Sequence, residues 1–387
     1  MRSGVGPDDN RISDELRAQA REDWPVGVKE WEERARSVLA RDAFDWISGG
    51  AGEEATLRDN RAAFERVRLR PRSLTNTASR NLTVELFDTP STAPFMLAPI
   101  GGQTVAHKDG ELAVARAAKA TGVPMLISQA ASHSMEDIAK ECNDVPYWYQ
   151  LYMVNDREVV ASLVRRAEAC GARALVFTVD TAMVGWRDRD LRNGYVPFLE
   201  DEGIRQYTSD PVFRSRLAKT PESDPKAAGA AVMQMFPHPS LSWDDLSWLR
   251  DQTSLPIVVK GVLRGDDAQR AMKLGVDGII VSNHGGRQLD GAVAALDALP
   301  EVRDAVGPDS PVLMDSGIRR GSDVVKAIAL GADAVLLGRP FIYGLAVGGE
   351  QGVEHVVTTL KAEIDLAFVL AGVAGVSDLD RSFVAPS

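Results

Sequence analysis

Between positions 276 and 291 the chain reads VDGIIVSNHGGRQLDG. An apolar run stops abruptly at Ser282, Asn283, His284, two glycines and Arg287. Imidazoles exchange protons near neutral pH, and guanidinium groups hold carboxylates and phosphates. The chain has only 5 histidines, so one set between a strand end and a Gly-Gly pair marks a candidate reactive rim. Two later stretches suit a different task. DSGIRRGSD and LLGRP place Gly317, Arg319, Gly338 and Arg339 in turns after apolar runs, and backbone N–H groups of such turns cradle phosphate. A lone Gly-Arg pair is usually just a turn; two at these places point to a phosphate site.

These clusters need a scaffold that brings them together. From Pro94 onward eight β-like runs alternate with helical patterns: PFMLAP, VPMLIS, YWYQLY, ALVFTVD, PIVVK, GIIVSN, PVLMDSG and AVLLGR. The stretches GELAVARAAKAT, DREVVASLVRRAEACG, DDAQRAMKLG and GSDVVKAIALG carry 3.6-residue periodicity. Eight parallel β/α units predict a closed (β/α)8 barrel, because closure leaves no edge. A doubly wound open sheet is the structural alternative. In a barrel all eight carboxyl ends share one mouth, so the polar residues that finish the runs converge there. Seven of the eight endings are polar: Ser128-Gln129, Gln150 with Tyr152, Thr178 with Asp180, Lys260, Ser282 with His284, Asp315 with Gly317, and Gly338-Arg339; the first run ends in Ala98-Pro99.

Composition agrees. With 387 residues, 44% hydrophobic and 26% charged, the chain can bury a large core. A net charge of -11 argues against nucleic acid, which needs a basic face. The polar start MRSGVGPDDNRISDELRAQARED has no apolar leader, and the uncharged run from Leu366 to Val376 is too short to span a bilayer. The expected place is the cytoplasm, with no membrane partner. Cys142 and Cys170 lack metal or redox spacing and read as reduced core thiols. Residues 1–30 read as a polar segment and 31–387 as a single barrel domain with an amino-terminal helical extension; no metal site is expected.

SNHGGRQLDG, DSGIRRGSDVVKAIALGADAVLLGRP, LPIVVKG and YQLY together resemble the FMN-dependent α-hydroxy-acid oxidase and dehydrogenase family, from about Trp31 to the C-terminus. GWRDRDL, VPFLEDEG and YTSDPVF are most similar to its lactate monooxygenase branch. The resemblance implies FMN, a 2-hydroxy acid, O2 as acceptor, oxidative decarboxylation and a homotetramer or homo-octamer. It implies that Gly317, Arg319, Gly338 and Arg339 take the FMN phosphate and Asp315 the ribityl chain. Gln150, Thr178 and Lys260 would meet the pyrimidine edge, Ala98, Pro99 and Ser128 would back the ring, and Ser282 would join them. A fixed cation there suits the anionic reduced flavin. His284 would be the general base as hydride leaves Cα for flavin N5, with Asp180 stabilising the imidazolium. Arg287 and Arg187 would hold the substrate carboxylate, and Tyr152 would donate a hydroxyl. His107, His133, His238 and His355 are left structural.

Two positions depart from the family pattern. In AFDWISGGAG, Trp46 stands where the family usually has a tyrosine; an indole N–H donates but cannot accept. This puts lactate in doubt and makes Trp46 a substrate contact. Ala130 replaces a large side chain of some relatives, leaving room for a bulkier acid. The segment from Asp188 to Leu241 is too long for an ordinary βα connection and reads as a lid, with AAGAAVMQMF available to close over the pocket. Two alternatives stay open: a peroxide-releasing oxidase or a dehydrogenase with another acceptor, and a phosphate-binding barrel isomerase or lyase without flavin.

Overall fold

The computed structural model describes residues 24–143 and 145–385. The expected polar segment thus lies outside the described residues up to position 23. From Trp24 the chain is already packed, its ring 5.5 Å from those of both Trp31 and His355. The first described helix, Val28–Val38, begins ahead of the expected boundary at 31.

A hairpin, β1 (Val84–Leu86) and β2 (Thr89–Ser91), precedes eight parallel strands. These are β3 (Phe95–Leu97), β4 (Leu126–Ser128), β5 (Trp148–Tyr152), β6 (Leu175–Thr178), β7 (Ile257–Val262), β8 (Gly278–Val281), β9 (Val312–Met314) and β10 (Ala334–Leu337). They run in the order β3-β10-β9-β8-β7-β6-β5-β4, and a parallel bridge from Leu97 to Met125 closes the ring. The eight runs expected from sequence are these strands, and closure removes the open-sheet alternative. Each strand is buried on both faces, which is why its sequence is a continuous apolar run. Inside, Met96, Leu126, Trp148, Val176, Val258, Ile280, Leu313 and Leu336 pack together, with Phe87 of the hairpin against them. Trp148 Nε1 donates to Thr89 Oγ1 at 2.9 Å. The hairpin therefore stops the amino-terminal end and leaves chemistry to the carboxyl ends.

The expected helices form at Gly110–Thr121, Arg157–Ala169, Gly265–Lys273 and Gly321–Ala329. Asp156 starts the second by accepting from the amides of Glu158 and Val159, as its type favours at this position. Three earlier helices, Val28–Val38, Arg41–Ser48 and Ala55–Arg66, form the amino-terminal extension. The apolar run near the C-terminus ends a helix, Arg339–Ala371, broken at Gly349. No helix among the described residues is long and apolar enough to cross a membrane.

The segment 188–241 is not one uniform flap. Its middle is built into the wall: Arg205 N donates to Ala131 O at 3.0 Å, Gln129 Nε2 to Tyr207 OH at 2.6 Å, and Ser162 Oγ to Asp210 Oδ2 at 2.7 Å. Its flanks, the turn Pro197–Glu200 and the helix Pro225–Met235, pack on each other, and Phe198 and Phe236 carry them to the edge of the cavity at the mouth. They touch closely, since a Cβ on Gly229 would lie 2.4 Å from Phe198 O.

Candidate active site

A cavity of about 1190 Å³, counting its open mouth, lies at the carboxyl ends of the strands. His284, Tyr152, Lys260, Arg187, Arg287, Trp46, Ala98, Pro99, Asp315, Gly317, Arg319, Gly338 and Arg339 all line it. Asp180, Ser282, Ser128, Gln150 and Thr178 stand just behind that lining.

His284 follows β8 in left-handed backbone, φ +58, and Gly285 and Gly286 continue it at +66 and +75. Such a run is strained for most side chains. The loop holds it with side-chain acceptors: His284 N donates to Ser282 Oγ, Gly285 N to Ser316 Oγ, and Gly286 N to Asn283 Oδ1. The imidazole Nδ1 lies 2.8 Å from Asp180 Oδ1, so it donates there and leaves Nε2 as the proton acceptor. Burial and the nearby Lys260 lower His284 below its ordinary value despite the pull of Asp180; the ring is neutral at neutral pH. Burial opposes the Asp180 charge, yet His284 and Lys260 hold its carboxyl at about 2. A glycine must stand beside it. Gly261 sits at a bulge in β7 with φ +106, and a Cβ there would meet Asp180 at 2.7 Å.

Lys260 is buried between Ser282 Oγ at 3.0 Å and Asp315 Oδ2 at 3.3 Å. Burial works against its charge, but Asp315 and Asp180 raise it above its ordinary value, so a fixed cation faces the cavity. Next to it a polar ladder crosses three strands. Ser128 Oγ donates to Gln150 Oε1 at 3.0 Å, and Gln150 Nε2 donates to Thr178 Oγ1 at 3.1 Å. Ser128 thus lies in this ladder and not on the cavity surface with Ala98 and Pro99.

Four arginines are crowded here with few carboxylates. Arg287 donates to the carbonyls of Trp46 at 2.6 Å and Gly49 at 2.9 Å, and its guanidinium lies 5.4 Å from the Trp46 ring. Burial, then Arg187 and Arg339, push it well below its ordinary value. Arg187 touches Arg287 O, with Asp190 3.8 Å away. Arg339 donates to the carbonyls of Ile47, Gly49 and Gly285, a clamp between the extension and the barrel that sequence reasoning did not foresee. Among the described residues the Arg319 guanidinium donates only to its neighbour Ile318 O, at 2.9 Å, while the Arg319 backbone N–H donates to Asp323 Oδ2. Burial pushes it down to about 10, with Arg339 and Arg61 adding to the effect. Buried cations short of carboxylates suit an anion, so the donor set fits FMN's phosphate at this end and a substrate carboxylate at the other. Gly317 has φ +97 and is backed so closely by Asn60 O that a Cβ would lie 2.6 Å from it.

Burial pushes the Tyr152 phenol up to about 12, so it remains a donor. Its ring packs edge-on to Phe236 at 5.1 Å. Phe236 and Phe198 line the cavity with Ala130, Gly101, Val184 and Trp46; the stretch AAGAAVMQMF thus supplies a wall. Sequence reasoning missed Phe198, Thr181 and Ser316, although Thr181 follows Asp180 directly. It also missed a reciprocal amide pair: Asn60 and Asn283 exchange hydrogen bonds of 2.8 Å in both directions. The other histidines lie apart: His133 bonds Glu111 at 2.9 Å, His238 lies 3.7 Å from Asp245, and His107 accepts from Asp109 N. Both cysteines are free, and among the described residues no cluster could hold a metal.

The FMN-dependent dehydrogenase family profile matches residues 35–386. The chain is 43% identical over 365 residues to an L-lactate oxidase of Nostoc sp., covering 93% of this chain and 98% of that one. It is 43% identical over 364 residues to human 2-hydroxyacid oxidase 1, covering 93% and 96%. A crystal structure of mandelate oxidase with (S)-4-hydroxymandelic acid matches with a TM-score of 0.84 and 39% identity over 93% of this chain and 98% of that one. These relatives are named oxidases, whereas the sequence motifs pointed to the monooxygenase branch.

Proposed function

Since the chain belongs to the FMN-dependent dehydrogenase family, we propose that this cavity oxidises a 2-hydroxy acid with O2 as terminal acceptor. FMN is the family's cofactor, and it supplies the two-electron acceptor for the substrate's Cα hydrogen. The flavin-free isomerase or lyase alternative is thereby set aside. The observation that carries the reading is His284, held by Asp180 at 2.8 Å and facing the same space as Arg187 and Arg287. The two guanidinium groups seat the carboxylate, Tyr152 donates to the substrate oxygen, and His284 Nε2 takes the hydroxyl proton. Asp180 then balances the imidazolium, and Lys260 offers fixed positive charge.

Anaerobic mixing of the flavin-loaded protein with a panel of 2-hydroxy acids tests this. Bleaching of the flavin by at least one acid is expected; no bleaching by any acid would overturn the reading. The walls Trp46, Phe198 and Phe236, with room beside Ala130, support an acid with a bulky apolar side chain. We expect Trp46→Tyr to raise kcat/KM for short acids such as lactate several-fold. The same substitution should lower it for the best bulky acid, since a smaller ring removes apolar contact of about 25 cal/mol per Å². A fall on every short acid would show that Trp46 serves this enzyme's own substrate in another way.

The named relatives support release of the keto acid and peroxide. The covered mouth supports a second outcome, in which peroxide attacks the retained keto acid to give the shortened acid, CO2 and water. Prying the cover apart should separate the two. In Gly229→Leu the new side chain pushes helix Pro225–Met235 off Phe198. We expect peroxide per O2 consumed to rise toward one, while anaerobic flavin reduction changes by less than about threefold. An unaltered enzyme that already yields one peroxide per O2 would remove the retention reading.

A further inference from the structure

Thr181 enters the cavity wall directly after Asp180 and is buried, 8% exposed. Its Oγ1 donates to Asp180 Oδ1 at 2.9 Å, the same oxygen that accepts from His284 Nδ1 at 2.8 Å. It also lies 3.3 Å from His284 Nδ1 itself. The hydroxyl has one hydrogen, which goes to the carboxylate, so its lone pairs face the imidazole N–H. Three polar groups thus form a closed triangle. Meanwhile Asp180 Oδ2 is buried without a hydrogen-bond partner among the described residues. All the hydrogen bonding to this carboxylate is concentrated on the one oxygen that serves His284.

We propose that Thr181 is a positioning residue that sets how firmly His284 holds a proton, by sharing Asp180 Oδ1 with it. This inference rests on His284 being the base. A hydroxyl bonded to Oδ1 draws negative charge away from the His284 contact. Its own lone-pair contact to Nδ1–H, at 3.3 Å, is longer than the 2.9 Å bond to Oδ1, so the carboxylate effect decides the sign, the imidazolium is stabilised less and the ring stays neutral to lower pH. The other titratable or charged groups around the ring are Lys260, Tyr152, Arg187 and Arg287. None of them bonds Nδ1 or Oδ1, so none duplicates the task. The reaction is unchanged in its balance: the substrate hydroxyl proton still goes to Nε2, and Nδ1–H stays on the ring.

Thr181→Val keeps the shape and deletes the hydroxyl. With Oδ1 freed, Asp180 favours the imidazolium more, His284 protonates at higher pH, and the acid limb of kcat/KM moves upward. On the acid limb anaerobic reduction should be about three- to tenfold slower than in the unaltered enzyme at the same pH, equivalent to a shift of about half to one pH unit. KM should change little, because Thr181 does not touch the carboxylate arginines. Thr181→Ser should restore the original limb. A limb that stays in place in Thr181→Val overturns the proposal, as does one that Thr181→Ser fails to restore. Should Thr181→Val not fold, Thr181→Ala is read the same way, with flavin absorbance reporting a loaded site. The residual activity of His284→Asn separates the two levels: if it keeps the wild-type acid limb, the assignment of His284 as base fails.

Discussion

His284→Ala is expected to lose about 100-fold to 10,000-fold of the rate of anaerobic flavin reduction, the usual loss with a general base, while the flavin stays bound. The base is given no role at the end proposed for the phosphate, where Gly317 and Arg319 line the cavity. The backbone supplies a control. At φ +58 an alanine is strained, whereas asparagine tolerates left-handed conformations. His284→Asn should therefore be as slow as the alanine variant yet melt closer to the unaltered protein. Stopped-flow absorbance and a thermal scan check both statements. Reduction within about tenfold of normal in either variant would remove His284 from the mechanism.

Arg319→Met is expected to act with opposite signs on the empty and loaded protein. In the absence of an anion the buried guanidinium has, among the described residues, only Ile318 O as hydrogen-bond partner and lies near Arg339 and Arg61. Replacing it with an apolar chain of similar length removes a desolvated, repelled charge, and the flavin-free protein should melt higher. The loaded form loses charge-assisted bonds worth about 1.5–3 kcal/mol. FMN affinity should therefore fall roughly 10- to 150-fold. Flavin fluorescence titration and melting of the apoprotein measure the two halves. Unchanged affinity would show that Arg319 does not serve the phosphate.

Much of this arrangement was legible because a parallel barrel writes its strands plainly. GIIVSN and PIVVK, buried on both faces, could only be short central strands, and their polar last residues had to share a mouth. What stayed hidden depends on distance in sequence. The clamp by Arg339 needs carbonyls of Ile47 and Gly49, almost 300 positions earlier, and backbone carbonyls carry no sequence signal. The long segment after Asp188 looked like one flap because Gly, Pro and mixed charge mark irregular chain. Its middle is fixed instead by Tyr207, Gln206 and Asp210, single side chains whose partners no local pattern announces. The role of Thr181 was hidden in the same way, since a threonine beside an aspartate is common and only the fold brings His284 to it.

The amide pair between Asn60 and Asn283 has a consequence in time. Helix Ala55–Arg66 leaves the ribosome early, but its partner is 223 residues away, and Asp290, which accepts from Thr56 N, is 234 away. At about 5–20 residues per second of synthesis, the helix waits roughly 10 to 45 s before either partner exists. An early helix thus waits for partners made much later in the chain. Until then the helix has no loop to dock on, and the carbonyls of Trp46 and Gly49 lack the Arg287 guanidinium that donates to them. A nascent chain can acquire its barrel strands in sequence, but the mouth is finished only once residues 283–290 and Arg339 reach back to the helices that precede the barrel.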